Sequence, residues 1–313
     1  MGDGNHILSA ERFGHAQLIR LFERADQFRS QSKTVAGKRR LARLHQGRQL
    51  CTLFFQPSTR TRVSFETAAV KLGMGVVSTE NAREHSSAAK GETIEDTFRV
   101  LDRYGFDVIV LRHYEQGAAV RAAGVCATPI INAGDGAGEH PTQALLDTYT
   151  IHKLLGRLDN LRIIFGGDLE RSRTIKSLVD ILQKYSGNSF VFIAPPQISL
   201  RSDVAGALKR NGMVFEQTGD MTKGLKNADV VYWSRLQAEY LQDASQFAGQ
   251  SLILDKKTLK AVPKTAVILH ALPRVDEIDP EVDDDPRAKY FDQAGNGLYV
   301  RMALLDSILT GKL

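Results

Sequence analysis

The stretch "QLCTLFFQPSTRTRVSFETAAVKLG", residues 49–73, joins an apolar run to a helical pattern through a turn rich in hydroxyl and guanidinium groups. The apolar run is short and carries aromatic and branched side chains, which predicts a buried strand. Apolar residues then recur at i, i+3, i+4 and i+7, the spacing of one buried helix face: Phe65, Ala68, Ala69 and Leu72. The stretch therefore predicts a strand, a turn and a helix in succession.

The same alternation continues along the chain. We predict strands at 49–55, 106–112, 128–132, 161–166, 189–193, 229–233 and 265–269. We predict helices at 14–29, 60–72, 92–104, 141–155, 171–184, 202–211 and 298–310. This order is typical of the α/β class, in which helices cover both faces of a parallel sheet. Binding sites in such sheets form where the carboxyl ends of strands lead into helices.

The length of 313 residues predicts two domains, because a chain of this size is long for one compact core. The Gly-rich segment 132–141 reads as a boundary loop, so that the helix at 141–155 would link the two halves. The composition, with 42% hydrophobic and 25% charged residues, is that of a soluble globular protein. No apolar stretch is long enough to cross a bilayer, and the first residues lack a signal pattern. We therefore expect a cytoplasmic protein that is not associated with a membrane.

Cys51 and Cys126 are too few for a disulfide framework or a cysteine metal site, and we expect both to be reduced core residues. The formal net charge of +5 suits anionic partners but does not by itself identify them. The densest basic run, residues 38–48, reads as a solvated helix end rather than a nucleic-acid patch.

A cluster of hydroxyl and guanidinium groups stands at the start of the helix predicted at 60–72: Ser58, Thr59, Arg60, Thr61 and Arg62. A helix N-terminus offers unsatisfied N–H groups and the positive end of the helix dipole, which together attract anions. Arginine matches the geometry of a phosphate, so the cluster predicts a phosphate site. The alternative is an ordinary cap with surface arginines, although one hydroxyl suffices for a cap. A P-loop is excluded because its glycines and lysine are missing.

Polar residues also follow other predicted strands. Arg112 ends one strand, although it would equally suit a salt-bridged surface position. Pro141 fits the first position of a helix, which puts His140 at the N-cap, where a neutral imidazole can donate a hydrogen bond. His140, Gln143 and Asp147 share one face of that helix by their spacing. A capped linker helix is the alternative for this segment.

Two further loops carry basic residues. "HSSAAKGET" presents Ser86 and Lys90 before a helix, and the alternative is a mobile, solvated loop. "GGDLERSRT" offers Arg171 and Arg173 where a strand turns into a helix. Its glycines lack the spacing of a dinucleotide-binding loop, which excludes that function.

The last motifs are "WSRLQ", which ends a strand with Arg235 and Gln237 after a core Trp233, and "HALPRVDEI". In the second motif the Leu272–Pro273 bond is a candidate for the cis form, with a plain turn as the alternative. The sequence shows no metal cluster, no nucleophilic triad and no carboxylate pair. We therefore expect no metal and no cofactor, and a chemistry of positioning and charge stabilisation acting on anionic substrates.

Together these motifs identify the chain as similar to the aspartate/ornithine carbamoyltransferase family over nearly its whole length. They are "FFQPSTRTRVSFETA", "SSAAKGETIEDT", "LRHYEQGAA", "GDGAGEHPTQALLDTYTI", "GDLERSRT", "SRLQ" and "HALPRVDEI". The ending Leu-Pro-Arg-Val-Asp-Glu-Ile resembles the aspartate branch, whereas ornithine enzymes typically carry His-Cys-Leu-Pro there. The resemblance implies two α/β domains, each a parallel sheet flanked by helices, joined by a linking helix. It assigns 1–140 and a returning C-terminal helix at about 295–313 to carbamoyl phosphate, and 150–290 to aspartate.

The activity implied by the resemblance is carbamoyl transfer from carbamoyl phosphate to L-aspartate, the second step of de novo pyrimidine synthesis. The residues it assigns to carbamoyl phosphate are Ser58, Thr59, Arg60, Thr61, Arg112, His140, Gln143, Ser86, Lys90, Leu272 and Pro273. Among these, the catalytic set would be Arg60, Thr61, Arg112, His140 and Gln143. Aspartate would be bound by Lys90, Arg173, Arg235, Gln237 and Leu272.

Ser86 and Lys90 resemble the loop residues that enter a neighbouring subunit's site in this family, which implies at least a homotrimer with shared active sites. A regulatory or dihydroorotase-type partner chain stays open. Gln56 and Tyr240 replace an acidic and a basic residue that help to hold the closed state in allosteric relatives, so we expect weak or absent cooperativity. Ala271 replaces a proline of the family pattern, which could loosen the loop that positions Leu272.

Three alternatives remain at this point. An ornithine or other amino-acid carbamoyltransferase is the nearest, and the pair Arg235 and Gln237 disfavours it. An inactive scaffold subunit of a pyrimidine-synthesis complex is disfavoured because the basic residues of the motifs are retained. A nucleic-acid-binding module is disfavoured because the arginines lie at strand ends rather than on one outer face.

Overall fold

The computed structural model of the chain describes residues 6–235 and 252–312. It divides into two compact units, one formed by Met1–Leu146 with Gly295–Leu313 and the other by Asp147–Ala294. The boundary falls inside the helix Pro141–Leu155, the helix predicted to link the two halves. Each unit is built on one parallel sheet flanked by helices, which confirms the predicted fold class.

The sheet of the first unit has four parallel strands in the order β2–β1–β3–β4. They are β1 (Gln49–Phe54), β2 (Gly75–Glu80), β3 (Val108–His113) and β4 (Ile130–Asp135). The edge strand β2 was not among the predicted strands, because its side chains are polar or partly exposed and do not form a buried apolar run. Chain order reverses between β1 and β3, the place where parallel sheets open a binding crevice.

The second unit contains five parallel strands in the order β7–β6–β5–β8–β9. They are β5 (Arg162–Gly166), β6 (Ser189–Ile193), β7 (Val214–Thr218), β8 (Val230–Trp233) and β9 (Val267–His270). The edge strand β7 is also absent from the sequence prediction, and its Val214 is 71% exposed. In this sheet the order reverses between β5 and β8, which defines a second crevice at their carboxyl ends.

Helices cover both sheets. In the first unit they are α1 (His15–Gln31), α2 (Val35–Leu41), α3 (Thr59–Lys71), α4 (Ala82–His85), α5 (Ile94–Arg103), α6 (Ala118–Ala123) and the start of α7 (Pro141–Leu155). The second unit adds α8 (Arg173–Leu182), α9 (Ser202–Arg210), α10 (Met221–Gly224) and the start of α11 (Tyr290–Thr310). The short helices α2, α4, α6 and α10 have too few turns to show a helical period, so the sequence did not predict them.

The C-terminal helix α11 starts at Tyr290, earlier than the predicted 298, and it returns to α1 as the resemblance implied. Arg24 on α1 donates its Nε–H to Asp306 Oδ2 at 2.8 Å, and His45 Nε2 lies 2.8 Å from Asp306 Oδ1. The pKa of Asp306 is lowered: its own burial would raise it, but the hydrogen bonds from His45 and Arg24 outweigh that effect. These two contacts of Asp306 hold the C-terminal helix against the first unit.

Both cysteines are buried free thiols, as predicted. Burial raises the pKa of Cys51 to about 12 and that of Cys126 to about 11, so neither thiol is activated. Trp233 is buried in the core of the second unit and donates its indole N–H to the Leu252 carbonyl at 2.9 Å. None of the helices in the described residues has the length and apolar character needed to span a membrane.

Candidate active site

The phosphate motif lies where β1 leads into α3. Ser58 occupies the N-cap with extended backbone, and its side chain makes no capping hydrogen bond to the helix. Thr61 is buried in the first turn, whereas Thr59 and Arg60 are exposed. Because the cap position is filled by a hydroxyl that does not serve the helix, that hydroxyl and the orphan N–H groups of the first turn are available to an anion.

The two arginines of this motif have different surroundings. Arg62 is bound internally: its guanidinium contacts Glu80 Oε2 at 2.7 Å, Glu66 Oε1 at 3.2 Å and Ser78 Oγ at 3.2 Å. Arg60 forms no hydrogen bond or ion pair with any residue that the structure describes. Although the side chain is exposed overall, partial desolvation lowers the pKa of Arg60 from its usual value. Arg60 is therefore the arginine that can bind an external anion.

Arg112 lies at the carboxyl end of β3, opposite Phe54 of β1 in the sheet register. Its carbonyl accepts the Phe55 N–H at 2.8 Å, which extends the pairing of the two strands toward the phosphate motif. Its Nη1 donates to the Ala133 carbonyl of β4 at 3.0 Å, which fixes the guanidinium. Arg112 and the phosphate motif thus follow the two strands that flank the crevice of the first sheet.

His140 and Gln143 are both buried, with 4% and 8% of their surface exposed. The His140 carbonyl accepts the N–H groups of Gln143 at 3.0 Å and Ala144 at 3.2 Å, as expected for the residue before a first-position proline. The loop before it is tight, because Asp135 accepts the N–H groups of Glu139 and Gly117, each at 2.8 Å. The structure therefore fixes the backbone of both residues at the start of α7, with their side chains buried.

Ser86 and Lys90 lie on a short segment formed by α4 and the 3-10 turn Ser87–Lys90. The Ser86 hydroxyl donates to the Ala82 carbonyl. Lys90 is exposed and has no ion pair within 6–235 and 252–312. An exposed and uncompensated ammonium suits binding of an anion.

In the second unit, Arg173 is the first residue of α8, after β5, and Arg235 follows β8. The two arginines therefore follow the strands that flank the crevice of the second sheet. Gln237, predicted to bind aspartate, and Tyr240 lie outside the described residues.

Gly166 and Gly167 allow the ends of β5 and β8 to approach closely. A Cβ at Gly166 would lie 2.1 Å from Trp233 Cζ3, and one at Gly167 (φ +101°) would lie 1.9 Å from the Ser234 carbonyl oxygen. The glycine pair is thus a packing requirement, in agreement with the exclusion of a dinucleotide loop. The next residue, the buried Asp168, accepts the Arg171 N–H at 2.9 Å and so orders the loop that leads to α8.

The turn after β9 is held from inside by a buried histidine and glutamate. His270 Nδ1 accepts the Leu272 N–H at 2.8 Å, and its Nε2 lies 2.7 Å from Glu277 Oε1. Glu277 Oε2 accepts the N–H groups of Val275 at 3.0 Å and Asp276 at 3.2 Å. Because Nδ1 is an acceptor, the imidazole donates from Nε2 to Glu277. Although burial of Glu277 would raise its pKa, this hydrogen bond and the backbone N–H groups lower it.

Leu272 adopts φ +54°, which is unusual for a residue with a side chain, and the Leu272–Pro273 bond is cis, as the sequence suggested. The carbonyls of Leu272 and Pro273 accept no hydrogen bond from any residue that the structure describes. They are therefore open to an external donor. Arg274, by contrast, is bound internally by Asp283 and Tyr290.

The sequence matches two domain families. Residues 5–153 match "Aspartate/ornithine carbamoyltransferase, carbamoyl-P binding domain", and residues 159–308 match "Aspartate/ornithine carbamoyltransferase, Asp/Orn binding domain". Among relatives, the chloroplastic aspartate carbamoyltransferase of Oryza sativa subsp. japonica is 46% identical, over 98% of this chain and 85% of the rice protein. The aspartate carbamoyltransferase catalytic subunit of Clostridium kluyveri is 39% identical, over 98% of both chains.

Solved structures agree with these matches. The aspartate transcarbamoylase of Trypanosoma cruzi in complex with N-(phosphonacetyl)-L-aspartic acid has a TM-score of 0.89 and 38% identity, and 97% of this chain and 95% of that chain are covered. The catalytic subunit of M. jannaschii aspartate transcarbamoylase has a TM-score of 0.87 and 38% identity, with 98% of each chain covered. The chain belongs to the aspartate/ornithine carbamoyltransferase family. The relatives and structures named here are all aspartate carbamoyltransferases, which confirms the resemblance to the aspartate branch.

Proposed function

We propose that the chain transfers the carbamoyl group of carbamoyl phosphate to L-aspartate, as its relatives' names state for them. The observation that carries this proposal is Arg60, which stands on the first turn of α3 and has no hydrogen bond or ion pair within the described residues. A cation at a helix N-terminus is a site for a phosphate group. A solved T. cruzi structure with carbamoyl aspartate and phosphate, 38% identical to this chain, supports the same reaction.

In the proposed reaction the aspartate amine attacks the carbonyl carbon of carbamoyl phosphate. A carbon–nitrogen bond forms, the bond from that carbon to the phosphate oxygen breaks, and the amine proton leaves with the phosphate. Ser58, Thr59 and Arg60 bind the phosphate. Thr61, Arg112 and His140 stabilise the negative charge that develops on the carbonyl oxygen, and Gln143 binds the carbamoyl nitrogen. The remaining residues proposed for this substrate are Ser86, Lys90, Leu272 and Pro273.

The second substrate is bound by residues that the sequence places after the strands of the second sheet. Arg173, Arg235 and Gln237 take the aspartate carboxylates, with help from Lys90. The carbonyls of Leu272 and Pro273 orient the amines, since neither accepts a hydrogen bond within the described part of the chain. Amino acids with a cationic side chain, such as ornithine, would be repelled by this set of arginines.

The direct test is an assay of the purified chain with carbamoyl phosphate and either L-aspartate or L-ornithine. We expect carbamoyl-aspartate and phosphate in equal amounts with aspartate, and no product with ornithine. An Arg235→Ala variant is the matched control and should lose aspartate turnover without gaining ornithine turnover. Citrulline as the product would favour the ornithine alternative, and absence of any product would favour an inactive scaffold.

We also propose a homotrimer in which Ser86 and Lys90 complete the site of a neighbouring copy. Lys90 supports this proposal, because it is exposed and has no ion pair in the described residues. The cytoplasm as the compartment stays a prediction, and some plant relatives are named chloroplastic. A regulatory or dihydroorotase-type partner also stays open.

Sharing of the site can be tested by complementation. Lys90→Ala and Arg60→Ala chains are each expected to be inactive, and their co-expression should restore about a quarter of wild-type activity, because random mixing pairs one intact loop with one intact phosphate motif. Co-expression of Arg60→Ala with Thr61→Ala is the control and should restore nothing, since both changes fall in the same part of the site. Equal recovery in the two mixtures would contradict shared sites.

A further inference from the structure

Asp147 is a buried carboxylate for which the proposed reaction has no use. It lies on α7 one turn after Gln143 and has no exposed surface. Its Oδ2 accepts the Tyr232 hydroxyl at 2.9 Å, and its Oδ1 accepts the Gln293 side-chain N–H at 2.5 Å. Burying a charge costs free energy unless hydrogen bonds compensate it. Moving either donor away from Asp147 would therefore be unfavourable, and this keeps Tyr232 and Gln293 in place.

The first donor, Tyr232, connects Asp147 to the two arginines of the second unit. Tyr232 lies on β8, a short step before Arg235, and it is fully buried. Its hydroxyl also takes part in a hydrogen bond with the side chain of Thr174, the residue after Arg173 on α8. Burial, and then the Asp147 charge, raise the pKa of Tyr232 well above its usual value, so the hydroxyl stays a donor.

The second donor, Gln293, connects Asp147 to the turn after β9. Gln293 is 1% exposed, and its Oε1 accepts the His270 N–H at 2.9 Å. His270 in turn accepts the Leu272 N–H at 2.8 Å. This chain of bonds ends at the residue with φ +54° whose carbonyl is open to an external donor. Asp147 therefore lies at the centre of the hydrogen bonds that connect the start of α8, the end of β8 and the turn after β9.

We propose that Asp147 is a positioning residue for the amino-acid substrate. It sets the mutual placement of Arg173, Arg235 and Leu272 through Tyr232 and Gln293, without touching the substrate itself. This inference rests on the proposed function, because it assumes that those three residues bind aspartate. The phosphate motif belongs to the other unit, so loss of Asp147 should affect the two substrates unequally.

The experiment compares Asp147→Asn, Tyr232→Phe and Gln293→Met with the wild-type chain. Asparagine keeps the volume of Asp147 but replaces one of its two accepting oxygens with an NH2 group, so one of the two hydrogen bonds is lost. Phenylalanine removes only the hydroxyl arm, and methionine removes only the amide arm. We expect each change to raise the KM for aspartate about tenfold, the effect of one lost hydrogen bond to a charged group. The KM for carbamoyl phosphate should stay within about twofold of the wild-type value.

A double variant and a matched control separate positioning from general stability. The double variant Asp147→Asn with Tyr232→Phe should raise the KM for aspartate by less than the product of the two single fold-changes. The reason is that both changes remove the same hydrogen bond. Asp306→Asn changes another buried aspartate, which is bound by Arg24 and His45 away from this network. It should lower the melting temperature and leave the KM for aspartate unchanged.

The outcomes decide between the two proposals. Unchanged aspartate KM in folded Tyr232→Phe and Gln293→Met chains would overturn the positioning role while leaving the proposed function intact. Equal increases in the KM values of both substrates would also overturn it, because they would indicate a general loss of structure. A wild-type chain that forms no carbamoyl-aspartate in the same assay would overturn the proposed function and this inference together. If Asp147→Asn does not fold, the Tyr232→Phe and Gln293→Met chains still decide the result.

Discussion

Replacing Arg60 with alanine is expected to lower kcat/KM for carbamoyl phosphate roughly a thousandfold and to leave the fold intact. Arg60 makes no hydrogen bond or ion pair with the described residues, so its removal breaks no internal contact. It stands on the first turn of α3, where the positive end of the helix dipole adds to its attraction for a dianionic phosphate. The measurements are steady-state kinetics and the melting temperature, which should change by no more than about 1–2 °C.

Arg62→Ala is the matched control, because it removes an arginine two positions away in the same motif. Arg62 is bound to Glu66 and Glu80, and its loss leaves both carboxylates without that partner. We expect a stability loss of about 1 kcal/mol from these partly exposed pairs. Carbamoyl transfer should fall far less than in Arg60→Ala. The assignment of the phosphate site would be wrong if Arg62→Ala lost activity and Arg60→Ala kept it.

The different roles of Arg60 and Arg62 could not be predicted from the sequence. The sequence places both at the mouth of one helix, and spacing cannot tell which of them has an internal carboxylate. Glu80 lies on β2, an edge strand that the apolar pattern did not predict. The pairing partner of Arg62 therefore became visible only when the position of that strand was known.

Buried elements were predicted more reliably than exposed ones for a physical reason. Strands β1, β3, β5, β6, β8 and β9 carry runs of apolar side chains because they are covered on both faces. β2 and β7 lack this pattern because most of their side chains are exposed to solvent, which does not require them to be apolar. The other two edge strands, β4 and β9, are buried and were predicted. The order of the strands puts Arg112 and Arg173 beside the two crevices. That order depends on which strands pair with each other, and the local sequence of a strand does not reveal its partner.

Polar contacts in the core were the other part that the sequence concealed. Asp147 appeared as a third member of a helix face with His140 and Gln143, and nothing in that spacing indicated a partner. Its donors come from positions far along the chain, Tyr232 and Gln293. Glu277 was likewise one acidic residue in a motif until the structure showed its contact with His270. Such long-range hydrogen bonds depend on the fold and not on local spacing.

Replacing His140 with alanine is expected to lower kcat about a hundredfold or more, while the affinity for phosphate changes by less than about threefold. His140 is 4% exposed and is held at the start of α7, where its carbonyl accepts the first N–H groups of the helix. In the proposed reaction its imidazole donates a hydrogen bond to the carbonyl oxygen, where charge develops only in the transition state. Its loss should therefore appear in turnover and not in binding of the ground state. Pre-steady-state kinetics and calorimetric titration with phosphate measure the two quantities separately.

His45→Ala is a suitable control, because His45 is a second buried histidine whose partner, Asp306, lies outside the proposed site. That change should lower the melting temperature and leave kcat near the wild-type value. His140→Asn adds a second comparison, since the asparagine amide can still donate and should recover part of the lost turnover. Equal losses of turnover and phosphate affinity in His140→Ala would contradict the oxyanion role and indicate instead that His140 supports the phosphate site. Recovery in the asparagine variant would, by the same reasoning, identify the hydrogen bond itself as the group's contribution.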